Sequence, residues 1–147
     1  MKLLWVVMLT ACAAFAAEKR VKFEELPSAV QTAVKEQTKN ATLVGLSAEK
    51  KKGKTRYEVE TKIGGKSRDL LLDETGAVVE TEEEVDLAAV PAPAKVAIQK
   101  RATGGTISKV EKVSARTATS YEATIRLKAG KTREYSVNAD GTLHQED

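Results

Sequence analysis

The chain has almost no residues suited to nucleophilic or redox chemistry. Its 147 residues include one cysteine, Cys12, and one histidine, His144. A Ser-His-Asp triad needs a histidine beside its nucleophile, and structural zinc sites usually need several cysteines or histidines. We therefore interpret His144 as a surface histidine near the C-terminus. The sequence predicts no enzymatic activity, no catalytic or cofactor-binding residue, no metal ligand and no cofactor.

Aromatic residues are also scarce, at 4% of the chain, and no basic stripe stands out. Lysine and arginine are instead interleaved with aspartate and glutamate along the predicted strands. Nucleic-acid-binding proteins typically combine basic stripes with stacking aromatics, so we expect no nucleic-acid partner. The remaining composition, 41% hydrophobic and 31% charged, is typical of a globular protein and not of a disordered one.

No apolar run approaches the roughly 18 residues that a membrane-spanning helix needs. A short apolar run follows Met1-Lys2 and ends in Ala14-Phe15-Ala16, which matches the A-x-A cleavage pattern of secretory signal peptides. Residues 1–16 are therefore predicted to be a signal peptide. The segment Leu9–Cys12 also resembles a bacterial lipobox, which would make residues 1–11 a lipoprotein leader and Cys12 the lipidated N-terminus. Both alternatives predict a periplasmic or secreted protein, anchored to the membrane only in the second.

One pattern of alternating residues occurs twice. In residues 54–76, apolar side chains such as Tyr57 and Val59 alternate with charged ones, which predicts a half-buried strand, and Gly64-Gly65 follows as a hairpin turn. Residues 120–141 follow the same plan around Tyr121. Tyr57 and Tyr121 lie 64 positions apart, as do two helix-starting prolines, Pro27 and Pro91. The sequence therefore indicates an internal duplication.

Four strands are expected after each helix. Residues 142–145 are expected to form the last strand of the second copy. We therefore predict an α+β fold of two tandem α-β-β-β-β repeats, residues 22–84 and 85–147, with an antiparallel sheet and both helices packed on one face. The segments Asp73–Gly76 and Asn138–Gly141 connect strands, and we interpret them as Asx and glycine turns rather than calcium loops.

The stretches LPSAVQTAVKEQ and TRYEVETKIGGKSRDLLLDETGAVV resemble the PepSY-like family. Its pattern is Leu-Pro, an amphipathic helix, Tyr-Glu-Val and a hydrophobic strand closing with Asp-x-x-Gly. The second copy matches more loosely through Val90-Pro91 and Tyr121-Glu122-Ala123. The family is similar in architecture to the β-lactamase inhibitory protein (BLIP), which grips an enzyme loop on a concave sheet. Related segments occur in peptidase propeptides, so the resemblance implies an inhibitory or chaperoning role.

The outward side chains of the two alternating strands form the candidate protein-binding face. With both helices behind the sheet, these residues would make one polar surface on the opposite side: Arg56, Glu58, Glu60, Lys62, Glu122, Thr124 and Arg126. The alternative is the ordinary polar surface of an open sheet. The charge runs Lys50–Lys52 and Glu82–Glu84 are interpreted as solvated tips or guards on edge strands.

These observations predict a secreted, non-catalytic protein-binding module. An inhibitor of an envelope or periplasmic enzyme, of peptidase or β-lactamase type, is the form that the resemblance implies. The alternative is a lipid-tethered structural or adaptor protein of the bacterial envelope, held through Cys12. The expected partner is a protein or peptide, and membrane contact is expected only through lipidation of Cys12.

Overall fold

The sheet of this protein follows the order of the chain. The computed structural model describes residues 18–145, which form one antiparallel sheet of eight strands in the order β1 to β8. The strands are β1 Lys19–Arg20, β2 Thr42–Lys51, β3 Lys54–Ile63, β4 Lys66–Asp73, β5 Val78–Glu84, β6 Gly105–Ala115, β7 Thr119–Leu127 and β8 Thr132–Asn138. The α-helices are α1 Ser28–Gln37 and α2 Ala92–Arg101, each preceded by a short 3-10 turn.

The predicted fold class, an α+β fold of two α-β-β-β-β repeats, is wrong. The chain forms a single sheet, because β5 pairs directly with β6 and places Glu82 opposite Val113. Only three strands follow α2 in the part of the chain that the structure describes, which ends at residue 145. Residues 142–145 contribute one isolated bridge, Val137 to Leu143, because Thr142 is held in the turn by its hydrogen bonds to Asp140. The eighth strand is instead β1, which lies before α1 and pairs with β2.

Helix α1 covers the first half of one sheet face. Val30 and Val34, on one side of the helix, are buried against Val59 of β3 and Leu70 and Leu72 of β4. These positions are spaced three to four residues apart on the helix and two apart on the strands, so each element presents one apolar side to the other. Leu26 and Leu46 complete this cluster, which we call the first core.

Helix α2 covers the second half of the same face. Ala94 and Ile98 are fully buried against Val110 of β6, Ala123 of β7 and Val137 of β8. Directly paired residues in an antiparallel sheet lie on one face, and the pairings from Val59 across β4, β5 and β6 lead to the side of Ala123. Both helices therefore lie on the same side of the sheet. We call this cluster, with Val90, the second core.

Two glycines let strand turns approach the helices closely. Gly76 and Gly141 have φ of 80° and 85°, a region that costs glycine little. A Cβ at Gly76 would lie 2.6 Å from the carbonyl oxygen of Ala29, and one at Gly141 would lie 2.7 Å from that of Pro93. In the first turn the Asp73 carboxylate accepts hydrogen bonds from the backbone and hydroxyl of Thr75, which confirms the predicted Asx turn.

The predicted signal peptide and the lipobox at Cys12 lie within residues 1–17, outside the described residues. Neither helix between residues 18 and 145 combines the length and apolar character that crossing a membrane would require. The sheet face opposite α1 and α2, which we call the open face, is covered by neither helix.

Candidate protein-binding face

Cross-strand pairing determines which side chains share the open face. One row of paired residues runs through Glu60, Asp69 and Glu82 on β3, β4 and β5. A second row places Glu58 beside Leu71 and Glu80, and a third places Glu84, Glu111 and Glu122 side by side. Carboxylates therefore occupy neighbouring positions on adjacent strands. We call this set the acidic face: Glu58, Glu60, Asp69, Glu80, Glu82, Glu84, Glu111 and Glu122.

The residues predicted for binding are divided between this set and its margins. Glu58, Glu60 and Glu122 belong to the acidic face. The other four surround it: Arg56 lies opposite Glu49 and Asp73, Lys62 and Arg126 are exposed near strand ends, and Thr124 lies opposite Lys109 and Glu134. That the seven residues bind a partner stays a prediction.

Three carboxylates meet at the centre of the acidic face. Asp69, Glu82 and Glu111 come from three successive strands, and one oxygen of each lies within 4.8 Å of the other two. Glu111 is only 3% exposed. Its Oε1 lies 2.7 Å from the Lys109 ammonium and also accepts a hydrogen bond from the Ser67 hydroxyl. We call these three residues the carboxylate trio.

The trio holds a proton over part of the neutral pH range. Burial and, after it, the neighbouring charges of Glu111 and Glu80 raise the pKa of Glu82 to about 8. Burial also raises the pKa of Asp69. Although burial acts against its charge, the hydrogen bond to Glu111 raises the pKa of Lys109, so the ammonium stays charged beside the trio. The trio is therefore an acidic centre with one resident cation.

The sequence interpretation missed the trio. The run Glu82–Glu84 was expected to be a solvated tip or an edge guard, which is wrong, because β5 lies inside the sheet between β4 and β6. The alternation of Glu80, Glu82 and Glu84 already predicts that they share one strand face. Their neighbours Asp69 and Glu111 depend on strand pairings that the local pattern does not contain.

A second cation lies on the open face near β1. The Arg20 guanidinium is 2.7 Å from Glu60 Oε1, and it passes over Gly45, where a side chain would collide with it. Glu58 stands beside this pair. Burial, followed by the charge of Glu18, raises the pKa of Glu58. The Arg20 guanidinium thus lies on the β1 side of the acidic face, and the Lys109 ammonium lies at its centre.

A cavity of about 230 Å³ opens between the acidic face and the C-terminal residues. Glu82, Glu122, Ser136 and His144 are among its lining residues. His144 Nδ1 lies 2.8 Å from Asn138 Oδ1, and the Ser136 hydroxyl donates to Glu122. The serine and the histidine therefore bond to other groups and are not arranged as a nucleophile and its base.

The donor chemistry of the acidic face is that of oxygen. Among residues 18–145, two groups of three carboxylates are close enough to share one cation: the carboxylate trio, and Glu18 with Glu58 and Glu60. Oxygen ligands suit hard cations such as calcium or magnesium, but also the ammonium and guanidinium groups of proteins. The absence of a metal ligand stays a prediction.

No family model matches the sequence, and no curated protein matches it. Solved structures with a similar fold do exist. A proposed periplasmic protein of Bacteroides eggerthii is 16% identical, with 82% of this chain and 86% of that chain covered and a TM-score of 0.65. A DUF2874 family protein of Bacteroides uniformis is 15% identical, with 81% and 86% covered and a TM-score of 0.62. A BLIP-like protein of Bacteroides fragilis is 20% identical, with 83% and 85% covered and a TM-score of 0.57.

These similarities define the class of fold. The chain has the fold of the DUF2874 and BLIP-like structures, so the expected BLIP-like architecture is confirmed at that level. Membership of the PepSY-like family stays a prediction.

Proposed function

We propose that this protein is a periplasmic, non-catalytic module that binds a partner protein through its open face. The observation that carries the proposal is the difference between the two sheet faces. One face is covered by α1 and α2 over the first and second cores. The other is covered by neither helix and carries carboxylates in adjacent rows.

The acidic face is an unfavourable arrangement for the isolated chain. Like charges directly opposite each other on neighbouring strands destabilise a sheet. Glu111 lies opposite both Glu84 and Glu122, and Glu82, when ionised, adds a like charge opposite Asp69. Features that lower stability without a visible structural gain are often functional. A partner that neutralises these carboxylates would recover the lost stability as binding energy.

The comparisons support both the compartment and the binding role. A structure of similar fold is described as a proposed periplasmic protein, and another as BLIP-like. A signal peptide at residues 1–16 would deliver the chain to that compartment. Inhibition of an envelope enzyme, of peptidase or β-lactamase type, is the specific form of binding that we propose.

The lipobox at Leu9–Cys12 favours a second candidate, a lipid-tethered adaptor of the envelope. The adaptor would use the same open face from a membrane-bound position. The intact mass of the protein purified from a bacterial envelope distinguishes the two, because cleavage after residue 16 and lipidation at Cys12 give different masses. A mature protein that retains residues 1–11 would contradict both candidates.

Site-specific photo-crosslinking tests the open face directly. A benzoylphenylalanine at Val113, which continues the row of Asp69 and Glu82 on the open face, should form adducts with a protein partner in the bacterial periplasm. The same group at Val96, which is 62% exposed on the outer side of α2, is the matched control and should form none. Excess unlabelled protein should suppress the Val113 adduct. Adducts from Val96 alone, or from neither position, would contradict the proposal.

A further inference from the structure

We propose that the open face receives a cationic segment of the partner protein, whose lysine or arginine side chains enter the acidic face. This inference rests on the proposed function and names the chemistry of the partner. The occupant is a stretch of polypeptide with at least two basic side chains.

The charge of the open face differs from that of the whole chain. The protein carries a formal net charge of +3, yet eight of its 21 acidic residues lie in three adjacent rows on one side of the sheet. At Glu82, the strongest charge effects come from Glu111, Glu80, Glu122 and Asp69, and all raise its pKa. Lys109 is the cation that reaches the trio. The local field therefore favours further positive charge.

The chain already places both kinds of protein cation on this face. The Lys109 ammonium lies 2.7 Å from Glu111, and the Arg20 guanidinium lies 2.7 Å from Glu60. Gly45 leaves open the path that Arg20 takes across the sheet. These contacts are within the chain, and they show that the face accommodates a long basic side chain lying across a strand as well as one that reaches in among buried carboxylates.

Apolar side chains between the carboxylates favour a protein cation over a bare ion. Leu71 lies between Glu58 and Glu80 in its row, and Val113 lies beside Glu82. Lysine and arginine have long aliphatic stems that pack on such surfaces while the charged end reaches an acceptor. The cavity of about 230 Å³ beside Glu82 and Glu122 has room for such a side chain. A metal ion would use the oxygens but not the apolar surface.

Fluorescent hexalysine and hexaarginine, with hexaserine and hexaglutamate as controls, test the inference by anisotropy at low salt and at pH 9, which lies above the pKa of about 8 of Glu82. The purified chain should bind only the cationic peptides, and increasing salt should weaken binding because charge attraction is screened. The variant Asp69→Asn/Glu82→Gln/Glu111→Gln should lose roughly ten-fold or more in affinity, as expected for close charge pairs. A matched control, Glu24→Gln/Glu36→Gln/Glu74→Gln, removes the same charge from exposed positions away from the open face. It should bind the peptides nearly as the unmodified chain does.

Equal losses in the two triple variants would mean that net charge alone attracts the peptides, and would overturn the inference. No binding of cationic peptides by the unmodified chain would also overturn it, as would saturable calcium binding that excludes the peptides. If the first triple variant does not fold, Glu82→Gln alone serves as the test at pH 9, because there it removes one ionised carboxylate from a repulsive cluster. Its affinity for the cationic peptides should fall, and unchanged affinity would contradict the inference.

The crosslinked partner separates this inference from the proposed function. Mass spectrometry of the Val113 adduct identifies the partner peptide in contact with the open face. A peptide rich in lysine or arginine supports the inference. An acidic or uncharged peptide overturns it and leaves the proposed function intact, whereas failure to form any adduct contradicts the proposed function itself.

Discussion

The two cores under the same sheet are built from side chains of different size. At positions 64 residues apart, the first core has Val30 and Val59 where the second has Ala94 and Ala123. Each of these side chains is fully buried. Two aromatic residues pack against each core, Phe23 and Tyr57 at the first and Tyr121 and Tyr135 at the second.

The two helices therefore occupy equivalent positions on the sheet, although the side chains that they bury differ in volume. Both helices pack on one sheet face, and both lie against a glycine turn. The second core nevertheless buries smaller side chains, and burial of each methylene contributes about 0.8 kcal/mol. We therefore expect the second core to contribute less to stability, and its strands to open more readily.

The strongest test places a charge in each core. Val59→Asp should lower the free energy of unfolding by roughly 3–5 kcal/mol, because it buries a carboxylate without a partner. Ala123→Asp should cost at least as much, since it adds volume as well as charge. Chemical denaturation gives the stabilities, and Thr106→Asp, at an exposed strand position, is the control. Unchanged stability of Val59→Asp would contradict its burial.

Amide hydrogen exchange at Val34 of α1 and Ile98 of α2 shows whether the two cores unfold together or separately. If the sheet unfolds as one unit, Ala123→Asp should lower protection at both amides. Loss of protection at Ile98 alone would show that the two cores unfold independently.

A smaller loss of stability is expected from substitutions at the glycine turns that contact the two helices. Gly76→Ala and Gly141→Ala should each destabilise the protein, because the added Cβ would overlap a helix carbonyl oxygen. Gly64→Ala is the control, since its φ is also positive at 59° but nothing lies within 4 Å of an added Cβ. The control should lose about 1–2 kcal/mol from the left-handed backbone alone. The other two should lose roughly 1 kcal/mol more from crowding, as measured by thermal or chemical unfolding. Equal losses at all three positions would contradict the close approach.

The last predicted effect depends on pH and concerns the junction between the two cores, where Glu82 lies on β5. The folded protein raises the pKa of Glu82 to about 8 from its ordinary value of 4.5, so the folded state binds this proton more tightly than the unfolded state. Its contribution to stability is therefore present below about pH 4.5 and decreases as pH rises towards 8.

Glu82→Gln should remove this decrease, so that its gain in stability over the unmodified chain grows between pH 5 and pH 8. Urea unfolding across that range measures the effect, with Glu74→Gln as a control at an exposed turn. A gain that stays constant with pH would show that Glu82 is ionised in the fold.

The local sequence pattern predicted most helices and strands, because the hydrophobic periodicity of each is visible within a few residues. It predicted the hairpin of β3 and β4 around Gly64 and both helices to within a few residues. It could not predict β1, because two residues, Lys19 and Arg20, carry no periodicity. The final strand was predicted wrongly, because the hydrogen bonds of Asp140 hold Thr142 in the preceding turn.

The acidic face was only partly predictable for a related reason. Glu58, Glu60 and Glu122 follow from the alternation within their own strands. The carboxylate trio depends on three strands meeting in register, and the β4–β5 pairing shifts between Leu71 and Leu72. A one-residue change in register would move each side chain to the other face, so single-strand patterns cannot bring Asp69 and Glu111 together.

The sequence-ordered sheet also has a consequence for folding kinetics. Most strand pairs are hairpins that close between neighbouring segments, whereas β5 and β6 are joined through α2. Contacts between segments close in sequence form quickly, because little chain entropy is lost in closing short loops. The β5–β6 pairing, like the pairing of β1 with β2 across α1, should therefore form after the hairpins. The step that joins the two halves of the sheet is then also the one that brings the carboxylates of Glu84 and Glu111 together, so charge repulsion as well as loop closure should slow it.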